Sequence, residues 1–194
     1  MKRNAVVRRT TKETDIEAKL LIDGQGESSA RTGMGFFDHM LESLGKHARF
    51  DLSIAAKGDL HIDDHHTVED VGLVLGEALR QALGKKEGIE RFGYGVVPMD
   101  EALARVTIDL SGRPYLVYQV KSRLKKIKEF DLYLLEDFFR AFSQTGLLNL
   151  HIELQYGENP HHIYEAIFKA TARALKMACE KTGVKTIPST KGIL

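Results

Sequence analysis

The sequence predicts an α+β fold made of an internally duplicated half-domain, an antiparallel sheet with helices packed on one face. Three observations carry this. Short runs of alternating apolar residues, bounded by Gly, Pro or Asp, read as strands. Longer runs with apolar residues three and four apart read as helices, and the order helix, strand, helix occurs twice. Taken in order, Asn4 to Thr10 and Thr14 to Ile22 are strands, the second alternating Ile16, Ala18 and Leu20, and Asp23-Gly24-Gln25-Gly26 turns the chain. Met34 to His47 is a helix with Phe37, Met40, Leu41 and Leu44 on one face, followed by a strand from Phe50 to Ala56. A second helix runs from Asp63 to about Gly84 on a stripe of Val68, Val71, Leu75, Ala78 and Leu79, with Asp63 or Asp64 as its N-cap.

From Arg91 to Lys121 the chain is strand-rich, with breaks expected at Pro98 and at Ser111-Gly112-Arg113-Pro114. Phe130 to Phe142 is a helix, Leu148 to Tyr156 a strand and His161 to Lys181 a long helix. Residues 34–84 and 131–181 are therefore two copies of one pattern, aligned through His65-His66-Thr67-Val68-Glu69 and His161-His162-Ile163-Tyr164-Glu165. The half-repeats divide as 1–88 and 89–194, forming one compact unit with a tail through Ser189-Thr190-Lys191-Gly192.

Composition narrows the class. The chain has 194 residues, of which 43% are hydrophobic and 28% charged, as in a globular domain and unlike a disordered one. Its 28 basic and 27 acidic residues leave a net charge of +1, which argues against a nucleic-acid partner. The single cysteine, Cys179, excludes an internal disulfide and a cysteine-based zinc site, and fits a reduced, cytoplasmic protein. Met1 to Thr11 is basic without the apolar core of a signal peptide, and no apolar run approaches the ~20 residues of a membrane span.

The histidines carry the chemistry. Of eight, five lie between His39 and His66 (His39, His47, His61, His65, His66), three lie at His151, His161 and His162, and none lies from Thr67 to Leu150. On a helix each residue advances about 100°, so in His65-His66-x-x-Glu69 the glutamate lies within about 40° of the first histidine. Two imidazoles and a carboxylate on one edge suit a divalent ion such as Mn²⁺, Fe²⁺ or Zn²⁺. Adjacent imidazoles diverge too far to clasp one ion, so His65 and His66 are read as serving different ions. A lone HH pair at a helix start is more often a cap or a solvated pair; two copies at equivalent points of a duplication are not. His39 is a further ligand, with Asp38 or Asp63 available to orient imidazoles, whereas His47, His61 and His151 read as structural or pocket-lining. Arg91, Arg113, Lys169 and the Ser189-Thr190-Lys191 tail lie beside turns or in a helix, and with a metal centre they suggest a small anionic substrate.

The segments Phe36-Phe37-Asp38-His39-Met40-Leu41, Gly58 to Asp70, Met99-Asp100-Glu101-Ala102-Leu103, Asp109 to Pro114, Asn159-Pro160-His161-His162 and Ser189-Thr190-Lys191-Gly192 together resemble the imidazoleglycerol-phosphate dehydratase family, from about Arg9 to Leu194. The resemblance implies a hydro-lyase of histidine biosynthesis that converts D-erythro-imidazoleglycerol phosphate to imidazole acetol phosphate. It implies two Mn²⁺ ions per active site on His39, His65, His66, Glu69, His161, His162 and Glu165, with Asp137 where a further histidine ligand is common. That aspartate either ligates or leaves its place to water. Phosphate contacts are implied at Arg91, Arg113, Lys169, Ser189 and Lys191, and an acid–base role at Glu13, with Glu69 and Glu165 also essential to turnover. A homo-oligomer of 24 subunits is implied as well. The expected mechanism bases the ring as an imidazolate between the two ions, which favours expulsion of the hydroxyl.

Two other classes fit parts of the sequence. A non-catalytic metal-binding protein accounts for the histidines but leaves Arg91, Arg113 and the tail without a role. A metal-dependent phosphoester hydrolase would instead release inorganic phosphate.

Overall fold

The computed structural model describes residues 2–194; Met1, where the first half begins, lies outside the described residues. In the first half β1 (Asn4–Thr10) and β2 (Thr14–Leu21) form a hairpin, followed by β3 (Ser28–Arg31), α1 (Gly35–Ala48), β4 (Asp51–Gly58) and α2 (His65–Leu83). The second half repeats this with β5 (Phe92–Met99), β6 (Ala102–Asp109), β7 (Tyr115–Gln119), a short hairpin of β8 (Lys126–Ile127) and β9 (Phe130–Asp131), then α3 (Leu134–Gly146), β10 (Asn149–Tyr156) and α4 (Pro160–Cys179). The two four-stranded sheets run β1-β2-β4-β3 and β5-β6-β10-β7, the same order with β1 matched to β5, β2 to β6, β4 to β10 and β3 to β7. The likeness between the halves therefore extends beyond the helix–strand–helix pattern to every strand of both sheets.

The fold is α+β, with one departure from purely antiparallel sheets. β3 runs parallel to β4, and β7 parallel to β10. Each parallel partner is reached through a helix, α1 or α3, and a helical crossover returns the chain in its original direction. β3 has no sequence signal of its own: in Ser28-Ser29-Ala30-Arg31 only Ala30 is buried, so the strand exists because β4 offers it a ladder. Pro98 lies inside β5 and does not break it, because β5 is an edge strand where a residue without an N–H is tolerated. His47 lies in the last turn of α1, as the helix read from Met34 to His47 predicts. α3 begins at Leu134, later than Phe130, because Phe130 and Asp131 pair with Ile127 and Lys126.

Each helix pair covers one face of its own sheet, α1 and α2 on the first and α3 and α4 on the second. The pairs then meet across the halves, α2 on α3 and α1 on α4, so the helices lie between the two sheets around one core. Its centre is aromatic. Phe138 is fully buried with ring centroids 5.3 Å from Phe37, 5.1 Å from Phe139 and 5.7 Å from Phe168.

α4, which carries the second histidine pair, sits unusually close to its sheet. A Cβ on Gly93 would lie 2.0 Å from the Ala174 carbonyl oxygen, and one on Gly95 would lie 2.3 Å from that of Ala170. The glycines on the inner face of β5 and the alanine row of α4 thus let strand and helix backbones touch. Gly95→Ala is expected to cost about 1–3 kcal/mol by overpacking. Equilibrium urea unfolding checks this. Cys179, at the end of α4, is buried, and burial pushes its thiol up to about 12 against the opposing pull of Arg3. No helix among the described residues is long and apolar enough to cross a membrane.

Candidate metal centre and substrate site

The helix N-termini place the paired histidines. Asn159 caps α4 by accepting the His161 N–H at 2.9 Å, and Pro160 occupies the first turn, where its missing N–H costs no helical bond. At α2 the cap position is Asp64, but the side chain that binds the turn is Asp63, which accepts the His65 N–H at 2.9 Å. Asp63 is thereby committed to the backbone. Asp38 is likewise committed, accepting from the Thr32 N–H at 2.8 Å and its hydroxyl at 2.6 Å. Neither orients an imidazole.

Three donors converge where α1 meets α4. Glu165 Oε2 lies 3.3 Å from His39 Nε2 and 3.0 Å from His161 Nε2, and the two rings stack with centroids 5.5 Å apart. Among the described residues this is the group of metal-ligating side chains whose donor atoms all fall within 4.8 Å of one another. The Glu165 carboxylate is buried, which by itself raises its pKa. The Lys169 ammonium at 2.7 Å and His39 more than offset that and hold it at about 2, an anion at any working pH. Two imidazoles and a fixed carboxylate fit a borderline divalent ion.

A second group lies where α2 meets α3. His65 Nε2 is 3.7 Å from Glu69 Oε2, and His65 Nδ1 is 3.7 Å from Asp137 Oδ2. It is the counterpart of the first: one HHxxE helix faces one side chain from the other half, His39 in the first case and Asp137 in the second. Both groups are built across the halves, by the helix pairs that form the core.

The second histidine of each pair turns away, with rings crossing at 84° for His65 and His66 and 88° for His161 and His162. Each finds a carboxylate. His66 Nδ1 donates to Asp59 at 3.1 Å, and His162 Nδ1 donates to Glu101 at 2.6 Å. These bonds raise the pKa of both imidazoles, and the His162 bond together with the Asn159 N–H lowers Glu101 to about 2. A carboxylate only accepts, so Nδ1 carries the proton in the neutral ring and Nε2 is left as the donor for a metal. Sequence reading missed Asp59 and Glu101 in this role. The one available signal was that both lie in segments carrying the family resemblance, Gly58 to Asp70 and Met99 to Leu103.

A cavity of about 610 Å³ opens beside His39 and His161, walled by Phe36, Leu60, Ile127 and Phe130. A second depression, of about 450 Å³, is also lined by His39, together with Lys46, His47, Glu165 and Lys169. Burial, and then the nearby Lys169 charge, lower the pKa of His47. It lines this depression, as sequence reading allowed. Glu13, in the turn between β1 and β2, is more than half exposed, with Oε2 4.0 Å from His66 Nδ1.

The basic residues do not all gather at this point. Arg91 donates twice to Asp109, at 2.7 and 3.1 Å, and once to the Pro188 carbonyl at 2.8 Å, which docks the tail bearing Ser189 and Lys191. The chain end at Leu194 lies against Gly112, beside the exposed Arg113. Arg91 N–H bonds Ala178 near the end of α4, thirteen residues beyond Glu165, or roughly 20 Å along the helix. Within one chain Lys169 adjoins the first metal group, while Arg91, Arg113, Ser189 and Lys191 form a separate cluster.

Comparison with known proteins identifies the family and the fold. The sequence model of the imidazoleglycerol-phosphate dehydratase family matches residues 32–175. The imidazoleglycerol-phosphate dehydratase of Gluconacetobacter diazotrophicus is 55% identical over 99% of this chain and 98% of that protein. That of Granulibacter bethesdensis is 55% identical over the full length of both. Among solved structures, the Staphylococcus aureus enzyme is similar with a TM-score of 0.83 at 40% identity, covering 92% of this chain and 99% of that one. The Pyrococcus furiosus enzyme gives 0.84 at 37%, covering 97% and 100%. This chain belongs to the imidazoleglycerol-phosphate dehydratase family.

Proposed function

We propose that this chain is a hydro-lyase that removes water from D-erythro-imidazoleglycerol phosphate to give imidazole acetol phosphate, working in the cytoplasm with two Mn²⁺ ions per active site. The observation that carries the metal part is the convergence of His39, His161 and Glu165, brought together from the two halves. His65 and Glu69 with Asp137 would hold the other ion's side of the site, and His66 and His162, bound to carboxylates through Nδ1, leave Nε2 for an ion. Bound divalent ions supply Lewis acidity, which favours the deprotonated ring.

That chemistry is needed because the departing hydroxyl sits on the carbon attached to the imidazole, and the hydrogen to be lost sits on the next carbon, which bears the oxygen that becomes the ketone and is not beside a carbonyl. Glu13 carries the proton traffic at that carbon and at the departing hydroxyl, which leaves as water; the resulting enol ketonises. Lys169, Arg91, Arg113, Ser189 and Lys191 bind the phosphate and hold the reacting carbons in register. Since Arg91, Arg113 and the tail lie apart from the metal groups of their own chain, the site is completed between subunits. The 24-subunit homo-oligomer expected from the family resemblance is consistent with that, as are Phe92, Tyr94 and Val96 standing exposed along edge strand β5.

The test incubates protein, Mn²⁺ and imidazoleglycerol phosphate and assays two products. An enolisable ketone supports the reading; free phosphate would indicate a phosphoester hydrolase, and neither product a metal-binding protein without catalysis. The orienting role of Glu101 has its own check. Glu101→Gln is expected to weaken Mn²⁺ binding about 10- to 100-fold, measured by competition with a chelator, with little change in unfolding midpoint.

A further inference from the structure

Glu13 is placed by its backbone. Its carboxylate accepts no hydrogen bond short enough to fix it, since His66 Nδ1 is 4.0 Å away. The turn beneath it is rigid: Thr11 Oγ1 accepts the N–H groups of Glu13 at 3.1 Å and of Thr14 at 3.0 Å. What ties that turn to the metal-bearing helix is Asp70. It follows Glu69 on α2, is 8% exposed, and turns toward the first hairpin. Its Oδ2 accepts from Arg9 Nη1 on β1 and from Thr14 Oγ1 on β2, at 2.5 Å for the latter. One buried carboxylate thus clamps both strands of the hairpin to α2, next to a metal-facing glutamate.

The other half shows what this clamp is for. There the position after Glu165 is Ala166, and no equivalent clamp can form. The matching hairpin turn, between β5 and β6, carries Glu101, whose own carboxylate is bound by His162 and by the N–H groups of Glu158 and Asn159. A carboxylate that only orients a histidine can be held by its oxygens. One that moves protons must keep its oxygens free, so its backbone has to be held instead.

We propose that Asp70 is the positioning residue for Glu13, setting its carboxylate relative to the HHxxE edge of α2 without touching substrate. This rests on the acid–base reading of Glu13 given above. Small displacements of a reacting group cost up to about a hundredfold in rate. Asp70→Asn, which keeps an oxygen for Thr14 but removes the charge facing Arg9, is expected to lower kcat about tenfold or more, with KM and bound Mn²⁺ per chain unchanged. Introduced into Glu13→Gln, the same change is expected to lower the residual rate no further, because a residue acting only through Glu13 has nothing left to position. Thr14→Val should reproduce the loss and Thr14→Ser should restore the rate, which carries the test if Asp70→Asn does not fold. The proposal is overturned if Asp70→Asn slows Glu13→Gln by the same factor as the unmodified enzyme, or if Mn²⁺ is lost along with rate. A fully active Glu13→Gln would refute the acid–base reading itself, before Asp70 is changed, and the positioning role would fall with it.

Discussion

Glu165→Gln is expected to reduce kcat by about a hundredfold to a thousandfold and to lower the bound Mn²⁺ per chain. The substitution keeps the size of the side chain and removes the charge that the first metal group is built around. In the unmodified chain that charge is secured by Lys169 and His39 against the cost of burial, and both imidazoles of the group lie within 3.3 Å of one carboxylate oxygen. Metal Lewis acidity is worth several kcal/mol in such reactions, and each 1.36 kcal/mol is tenfold in rate. Steady-state kinetics with metal analysis on the same sample checks both halves of the expectation. Exhaustive chelation of the unmodified protein should give the same loss, reversible by added Mn²⁺. Full activity in the metal-stripped protein would contradict the metal mechanism outright, whereas unchanged metal content in Glu165→Gln would remove Glu165 from the ligand set.

Phe138→Ala is expected to destabilise the fold by about 3–5 kcal/mol. The ring is fully buried at the junction of three helices, touching Phe37 of α1, Phe139 and Phe142 of α3 and Phe168 of α4. Its neighbours are rigid aromatics that collapse poorly into the space left behind, which places the cost toward the upper end of the range for large-to-small changes. For a chain of this length that corresponds to a fall in Tm of roughly 10 °C or more. Calorimetry or equilibrium urea unfolding measures it, and Phe138→Leu should lose less than half as much. Because the same helices carry His39, Asp137 and Glu165, Phe138→Ala should also weaken metal binding, in proportion to the loosening of the helix pairs.

Much of the fold was legible because periodicity is a local property. The alternation of Ile16, Ala18 and Leu20 and the helical stripe of Val68, Val71, Leu75 and Leu79 both correspond to buried faces of the elements they marked. β3 and the β8–β9 hairpin were not legible, because their residues carry no burial pattern and are ordered only by the strands they pair with. Pro98 misled because a proline's effect depends on whether its strand lies at an edge, which is a fact about neighbours.

The sequence by itself determined the element types, the duplication and the kind of donors present. Residue identity fixes chemistry, and helical spacing fixes which side chains share an edge. Only the tertiary structure decided which donors meet. His39 joins His161 and Glu165, and His65 joins Asp137, because core burial forces α1 onto α4 and α2 onto α3 across more than seventy residues of chain. It also decided that Asp59 and Glu101, not Asp38 and Asp63, orient the outward histidines. A carboxylate bonds whichever donor the fold delivers to it, and that delivery depends on long-range packing, which no local pattern encodes.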